Sequence, residues 1–374
     1  MEEAAVVQII QNMEEAEEQA NNPERDFWSH WTNINPFAIS DRKFVKYFRL
    51  TKELVHNLIQ ELSEYLTPPT RRSALTVEMK VLVALKFFAS GSYQTDIGSF
   101  KFMAVSQSSV SRCVAEVINA LNENQIFNRW VHFPATQEEL NSVRREFYEK
   151  YGIPGIVGVI DCTHVAIYPP TRNGNHPEHI YVNRKNYHSI NTQLVCDVNM
   201  KITNVNARFP GSSHDAFIWN NSNINLFMQQ INRHGETYFL IGDSGYPLRQ
   251  WLQTPIRNPE PGTQEDAFNT AFKSCRTTIE RCNGLLKMRF RCLLKHRVLH
   301  YTPNVASKII NACTILHNMC IANNIPDPAN EEGDELLDFG VIMEENILHN
   351  ERRERNAELE NGRQLQQQLV RNFQ

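Results

Sequence analysis

Four carboxylates stand where a reaction would need them. Asp161 lies in Gly158–Val165 (Gly-Val-Ile-Asp-Cys-Thr-His-Val), at the inner end of an apolar run. Asp243 ends a second apolar run at 237–241, and Asp215 opens a helical stretch. Glu280 sits on a helix with Thr277, Thr278, Arg281 and Asn283. A buried carboxylate is costly unless a cation or hydrogen bonds meet it. The plain reading of Asp161 is a turn aspartate bonding nearby backbone amides, and Asp215 could simply cap its helix. Several acids brought together repel one another unless a divalent cation lies among them. Hard oxygen donors favour Mg²⁺ or Mn²⁺ over Zn²⁺. Two such ions about 3.5–4 Å apart are the usual device for in-line attack on a phosphodiester. His164 could orient a ligand or a phosphate, or be an ordinary half-buried histidine.

Strands are needed to position these acids. Ile156–Cys162 reads as a buried strand, followed by strands over 187–198 and 202–209 with a tight turn at 199–201. A helix then runs from about 216 to 232, and a short strand from 237 to 241. Helices follow over 268–289 and 302–323. If the first and fourth strands are neighbours, Asp161 and Asp243 lie side by side. The expected fold is α/β, a mixed sheet flanked by helices.

Ahead of it, residues 41–150 read as helical. Apolar positions from Phe44 to Leu62 are spaced for a helix that stops at Thr67-Pro68-Pro69. Thr76 caps a second helix and Gly91 ends it. Ser106 caps a third, running to about Leu121, after a short turn segment at 93–98. That is a helix-turn-helix outline, with Gln107, Ser108, Ser111 and Arg112 at the start of a recognition helix. A plain helical bundle with a polar cap gives the same outline. The boundary between domains falls at Tyr151–Gly155, leaving an acidic arm at 1–40 and a charged, partly helical tail at 326–374. In that tail Leu336, Phe339, Ile342, Ile347 and Leu348 keep a helical period.

Composition narrows the class. The chain has 374 residues, 41% hydrophobic and 10% aromatic, which suits a folded protein with a sizeable core. No stretch offers 18 consecutive apolar residues, so no membrane span is expected, and no secretory leader is evident. Eight cysteines without a Cys-x-x-Cys pair read as reduced thiols. Cys313, His317 and Cys320 fall at helical spacing in an apolar stretch, which favours packing over zinc. The net charge of −4 conceals an asymmetry. Lys273, Arg276, Arg281, Lys287, Arg289, Arg291, Lys295 and Arg297 face Glu280 alone, a local net of +7. Such a run is either a solvated face or a track for phosphates. Its place around Glu280 favours the track, which Arg172, Arg184 and Lys185 would extend.

Taken together, several segments resemble the PIF/Harbinger DDE transposases and the nucleases derived from them. They are Gly158–Val165, Tyr181-Val-Asn-Arg-Lys185, Pro210-Gly-Ser-Ser-His-Asp215, Leu240-Ile-Gly-Asp-Ser-Gly-Tyr-Pro247 and Ile279-Glu-Arg-Cys-Asn-Gly284. Arg289-Phe-Arg-Cys-Leu293 and Leu316-His-Asn318 add to the match, which spans roughly 40–325. The resemblance implies an RNase H-like catalytic core, with Asp161, Asp243 and Glu280 as the catalytic acids. It also implies Asp215 as a further metal ligand. The activity implied is metal-dependent cleavage of double-stranded DNA at transposon ends, with joining of 3′-hydroxyl ends to a target. A domesticated, non-mobilising nuclease or DNA-binding scaffold is the alternative. A Myb-like partner and a nuclear location are implied too, and a homo-oligomer is left open.

Overall fold

The computed structural model describes residues 35–71, 74–100, 102–170, 176–232, 236–328 and 356–373. The acidic arm up to 34, Arg172, and the tail positions Leu336, Phe339, Ile342, Ile347 and Leu348 lie outside them. The chain divides into two units, Met1–Ala120 and Leu121–Gln374.

The first unit is helical. The stretch expected as one helix from 41 is two, α1 (Asp41–Phe48) and α2 (Lys52–Leu62). Arg49 turns left-handed at φ 65°, and the Thr51 hydroxyl restarts the helix by accepting from the Leu54 amide at 3.2 Å. Helix α3 (Val77–Ser90) starts at Thr76 and stops at Gly91, as the sequence predicts. Its residues from Met79 to Leu85 are buried without a break, so it is the core of the unit. Within it the Lys80 ammonium donates to the Thr67 carbonyl at 2.8 Å and pairs with Glu116 at 2.6 Å. Helix α4 (Gln94–Gly98) and helix α5 (Gln107–Leu121) complete the helix-turn-helix outline. The Ser106 hydroxyl caps α5 by accepting from the Ser109 amide at 3.3 Å.

The second unit starts earlier than Tyr151–Gly155, which corrects the expected boundary. Helices α6 (Asn124–Trp130) and α7 (Gln137–Tyr151) belong to it. The reason is their bonding to the sheet and its helices. The Tyr151 hydroxyl lies 2.7 Å from that of Thr278, and Lys150 donates to the Val198 carbonyl at 3.2 Å. Asn318 donates to the Trp130 carbonyl at 2.7 Å.

Five strands form one mixed sheet in the order β3-β2-β1-β4-β5. They are β1 (Ile156–Ala166), β2 (Ser189–Cys196), β3 (Ile202–Pro210), β4 (Phe239–Ile241) and β5 (Leu252–Gln253). β1 to β3 run antiparallel, whereas β4 lies parallel to β1 and β5 parallel to β4. β1 is buried at every position, which explains its near-continuous apolar run. The expected helix after β3 breaks at Asn221-Ser222 into α8 (Asp215–Asn220) and α9 (Asn223–Asn232). Their Ile218, Trp219, Ile224 and Met228 pack on Ile160, Cys162, Val195 and Leu240 of the sheet. Helix α10 (Gln264–Arg289) and helix α11 (Pro303–Ala322) follow. By length and a mean hydropathy of 1.3, α11 could cross a membrane, but 67% of that stretch is buried as a core helix.

All eight cysteines are buried free thiols. His317 and Asn318 of α11 are structural. The His317 Nε2–H donates to the Met200 carbonyl at 2.9 Å, and Asn318 holds both the amide and the carbonyl of Ile202. The end of the chain is more than a tail. Helix α12 (Asn356–Asn372) lies along the β5 edge, where Gln366 donates to the Thr254 carbonyl at 2.7 Å and Glu358 pairs with Arg249 at 3.0 Å. It shields an edge strand that would otherwise offer unpaired backbone groups.

Candidate active site

The expected end of the first strand at Cys162 is corrected, since β1 runs on to Ala166 and Asp161 lies midway along it, while Asp243 follows β4 by two residues; the β1–β4 ladder decides where these two acids fall. Ile156 pairs with Phe239, but the register then shifts so that Gly158 meets Leu240 and Val159 meets Ile241. Continued two residues, that register puts Asp161 level with Asp243. An unbroken ladder from Ile156 would have put Ile160 there instead, with its side chain on the other face. Gly158 lets the shift happen, because a Cβ on it would lie 2.8 Å from Val195 Cγ1 and 3.0 Å from Leu240 Cδ2.

Both acids are buried, Asp161 at 6% and Asp243 at 9% exposure. Burial and then the Asp243 charge push the Asp161 carboxyl well above the usual range, with Asp215 adding and Arg276 opposing. Asp243 is raised by burial and by Asp215, against Arg276 and two backbone amides. One of these, the Gly245 N–H, donates to Asp243 Oδ1 at 3.0 Å. On the α10 side, Asn283 Nδ2 donates to Asp161 Oδ2 at 3.2 Å. Asp215 approaches from the Cys162–His164 face of β1, since strand residues alternate faces and Asn191 is the register partner of His164. Asn191 Nδ2 donates to Asp215 Oδ1 at 2.9 Å and also to the Ser213 carbonyl at 2.9 Å. Glu280 is half-buried on α10 and bonds to Arg276 one turn earlier.

The structure thus brings Asp161, Asp243 and Asp215 into mutual repulsion, opposed by the charge of Arg276, with Glu280 held on that guanidinium. Among the described residues no three or more His, Cys, Asp or Glu side chains form a ready-made ion cage. The reason is visible in the partners: Glu280 is turned to Arg276 and Asp215 to Asn191. The donor set nevertheless fits a hard divalent ion. It is all oxygen, and its two innermost members are raised by burial and then by neighbouring acids, whose charge a cation would neutralise. Sequence reasoning passed over Asn191, and it quoted Asn283 and Arg276 without these roles. The signal for Asn191 was there, in the polar run Ser189, Asn191, Thr192 and Gln193 inside a fully buried strand.

The basic track needs correcting. Lys287 and Arg289 are not available to phosphates, because they are buried at 0% and 2% exposure. Lys287 Nζ donates to the His164 carbonyl at 2.7 Å. Arg289 donates to His317 Nδ1, to the Ile325 carbonyl and to Asp327 at 3.4, 3.2 and 3.1 Å. Both tie α10 to its neighbours. Lys273 and Arg281 are exposed on α10, while Arg291, Lys295 and Arg297 are partly exposed. Lys295 also lies over the Tyr187 ring at 5.0 Å. Arg184 and Lys185 are exposed at the tip of a loop wound around Asn183, whose Oδ1 accepts from the Lys185 amide at 2.9 Å. In the first unit Gln107, Ser108 and Arg112 are exposed and Ser111 partly so, with Gln107 donating to Gln94 of α4 at 2.6 Å.

A mixed sheet with the order 3-2-1-4-5, carrying acids on its central strands and a glutamate on a following helix, defines an RNase H-like core of the DDE class. Known proteins agree with it. The DDE superfamily endonuclease family matches residues 160–318. The HARBI1 protein of Bos taurus is 37% identical over 289 residues, covering 77% of this chain and 80% of its own. The human HARBI1 protein is 36% identical, with the same coverage. The Arabidopsis thaliana protein named Antagonist of like heterochromatin protein 1 is 26% identical, over 79% of this chain and 78% of its own. No solved structure matches the chain. The chain belongs to the Harbinger-type DDE superfamily endonuclease family.

Proposed function

We propose that the chain is a divalent-metal-dependent DNA endonuclease that cuts phosphodiester bonds at transposon ends and joins the 3′-hydroxyl ends to a target. The observation that carries this is the register shift in β1–β4 that sets two buried aspartates level, next to a glutamate-bearing helix. Asp161, Asp243 and Glu280 would hold Mg²⁺ or Mn²⁺, with Asp215 as a further ligand. When bound, the ions supply an activated water or 3′-hydroxyl and neutralise charge developing on the phosphate. The chain's own part is positioning. Asn283 and the Gly245 amide orient the two aspartates, and Arg276 holds Glu280 until a cation competes for it. No covalent intermediate is required, since orientation and charge neutralisation supply most of such catalysis.

Lys273, Arg281, Arg291, Arg297, Arg184 and Lys185 would be the cations that meet phosphates, and Gln107, Ser108, Ser111 and Arg112 would read bases; their full or partial exposure supports this. A Myb-like partner, a homo-oligomer and a nuclear location belong to the same reading, which rests there on family likeness. The second reading is a domesticated DNA-binding scaffold. It draws on the Arabidopsis relative, whose name describes antagonism of a heterochromatin protein rather than cutting.

Nicking of supercoiled plasmid in Mg²⁺ separates the two. Asp161→Ala, Asp243→Ala and Glu280→Ala should each abolish nicking in a folded protein, and Asp215→Ala should reduce it. Wild-type nicking by any of the first three would remove that residue from the site. A wild-type protein that binds duplex and never nicks is the scaffold.

A further inference from the structure

The parallel strands β1 and β4 meet the acids at one end and a groove at the other. Gly155 and Thr237 precede the two strands, whereas Asp161 and Asp243 come later along them. Six residues of strand at about 3.3 Å each put roughly 20 Å between Gly155 and Asp161. Pro154, Gly155 and Thr237 floor a groove of about 660 Å³, mid-range for a ligand site. Its two walls are helices. Helix α7 contributes Asn141, Arg144, Arg145 and Tyr148, and helix α12 contributes Leu365, Gln368, Leu369 and Asn372. Each set falls at i, i+3, i+4 and i+7, the spacing of a single helix face.

The lining is chemically one-sided, with two guanidinium groups and no carboxylate. Arg144 is committed, since it donates to Glu236 at 3.5 Å and lies over the Tyr238 ring at 5.3 Å. Asn141 Oδ1 is committed as well, accepting from the Tyr238 hydroxyl at 2.9 Å. Arg145 is exposed and Tyr148 is 54% exposed, and no described residue pairs with either side chain. The same holds for the exposed amides of Gln368 and Asn372. Between those amides and the floor, Leu369 is buried and Leu365 half-buried, which makes that wall apolar. The end of the chain keeps the same sign of charge, because from Gly362 to Gln374 it has Arg363 and Arg371 and no acid.

One free guanidinium is not a phosphate track, which needs several cations. A small inorganic anion would leave the leucines and Tyr148 uncovered. A peptide uses every feature. Its carboxylate meets Arg145, its aliphatic or aromatic side chain covers Leu365, Leu369 and Tyr148, and its backbone offers a donor and an acceptor to amides that are both. We propose that the groove between α7 and α12 docks an acidic segment of a partner protein, one with a large apolar side chain beside its carboxylates. The groove lies at the opposite end of the strands from Asp161 and Asp243, so docking leaves those acids uncovered and does not depend on the cleavage reading.

Fluorescence anisotropy on the full chain tests this. The probe is a labelled synthetic peptide of glutamate and leucine, and its two controls carry lysine for every glutamate or serine for every leucine. The probe should bind and neither control should. Arg145→Glu should weaken binding by about tenfold or more, the value of one charge-assisted hydrogen bond, at an unchanged melting temperature. Tyr148→Ala should weaken it too, again without loss of stability, and Lys273→Glu on α10 should change nothing. No binding, a control that binds as tightly, or binding indifferent to Arg145→Glu would overturn the proposal. Three other outcomes overturn it by naming a different occupant. Competition by duplex DNA that Arg145→Glu removes would assign the groove to nucleic acid. Self-association that Arg145→Glu removes would assign it to a second copy of the chain. Probe binding that appears only after the acids between 331 and 345 are replaced by serine would assign it to the chain's own acidic stretch.

Discussion

Lys287→Ala distinguishes a structural cation from a DNA contact. The substitution removes three methylenes from a side chain with no solvent exposure, worth about 0.8 kcal/mol each, or roughly 2.4 kcal/mol together. It also leaves the His164 carbonyl of β1 without its ammonium donor, which costs on the order of 1–3 kcal/mol when buried. Relief of a desolvated charge offsets part of this, so the net loss should be about 2–4 kcal/mol. For a unit of this size that lowers the melting temperature by roughly 5–15 °C, at about 2–4 °C per kcal/mol. Lys287→Met keeps the stem and should recover roughly 2 kcal/mol of it. Urea unfolding with an unchanged m-value, together with duplex binding across a salt series, checks both sides. The salt slope of binding by folded Lys287→Ala should match wild type, whereas Lys273→Ala should keep full stability and lower the slope by about 0.9. Wild-type melting of Lys287→Ala with a reduced slope would refute the argument and restore Lys287 to the phosphate track.

Three further outcomes are expected. Asp161→Asn should end cleavage yet raise the melting temperature of the metal-free protein at neutral pH. The folded carboxyl is raised, so its contribution is fully favourable below the unfolded value of about 3.9 and is lost as pH rises through the folded one; a variant no more stable than wild type at neutral pH, in EDTA, refutes this. Glu139 shows the opposite sign: the Thr136 and Ala135 amides hold its carboxylate down at about 2, so its cap stabilises α7 above the unfolded value of about 4.3 and fades as pH falls towards 2. Urea midpoints of Glu139→Gln should therefore lie below wild type at pH 7 and converge with it near pH 2. Gly158→Val should cost about 1–3 kcal/mol through overpacking against Val195 and Leu240. Its loss of nicking should exceed its loss of folded protein, because the register that levels Asp161 with Asp243 is disturbed, and parallel losses would show the shift to be incidental.

Asp161 and Asp243 were legible in the sequence because each follows an apolar run, although β1 continues past Asp161 to Ala166. Their alignment was not. It depends on a one-residue slip that Gly158 permits against Val195 and Leu240, contacts 37 and 82 positions away. Lys287 and Arg289 were misread for a different reason. Charge density along a string says nothing of which side of a helix faces inward. The spacing did carry that information: Cys275, Ile279, Cys282, Leu286 and Arg289 follow one another at intervals of three and four, as do Ile279, Asn283 and Lys287. Both cations fall on the buried stripe of α10. The domain boundary was set at the change from helical to strand-like period, but α6 and α7 belong by bonding to the sheet that follows them. Periodicity reports the type of an element and not the core it joins.

The partners of the four acids explain why the site keeps a demand for cations. Asp161 is held by an amide side chain, Asp215 by another and Asp243 by a backbone N–H, all of them neutral donors. Arg276 bonds to Glu280 among the four, an acid less buried than Asp161 and Asp243. Neutral donors fix orientation without cancelling charge, so the repulsion that adds to burial in raising Asp161 and Asp243 persists in the folded protein. A lysine at the position of Asn283 would stabilise Asp161 better and would leave nothing for an ion to neutralise. The same uncancelled charge opposes a DNA phosphate at this point. On the cleavage reading proposed above, divalent ions would have to load before, or together with, the strand that is cut, and the exposed cations on α10 and at the 183–187 loop would hold the duplex nearby.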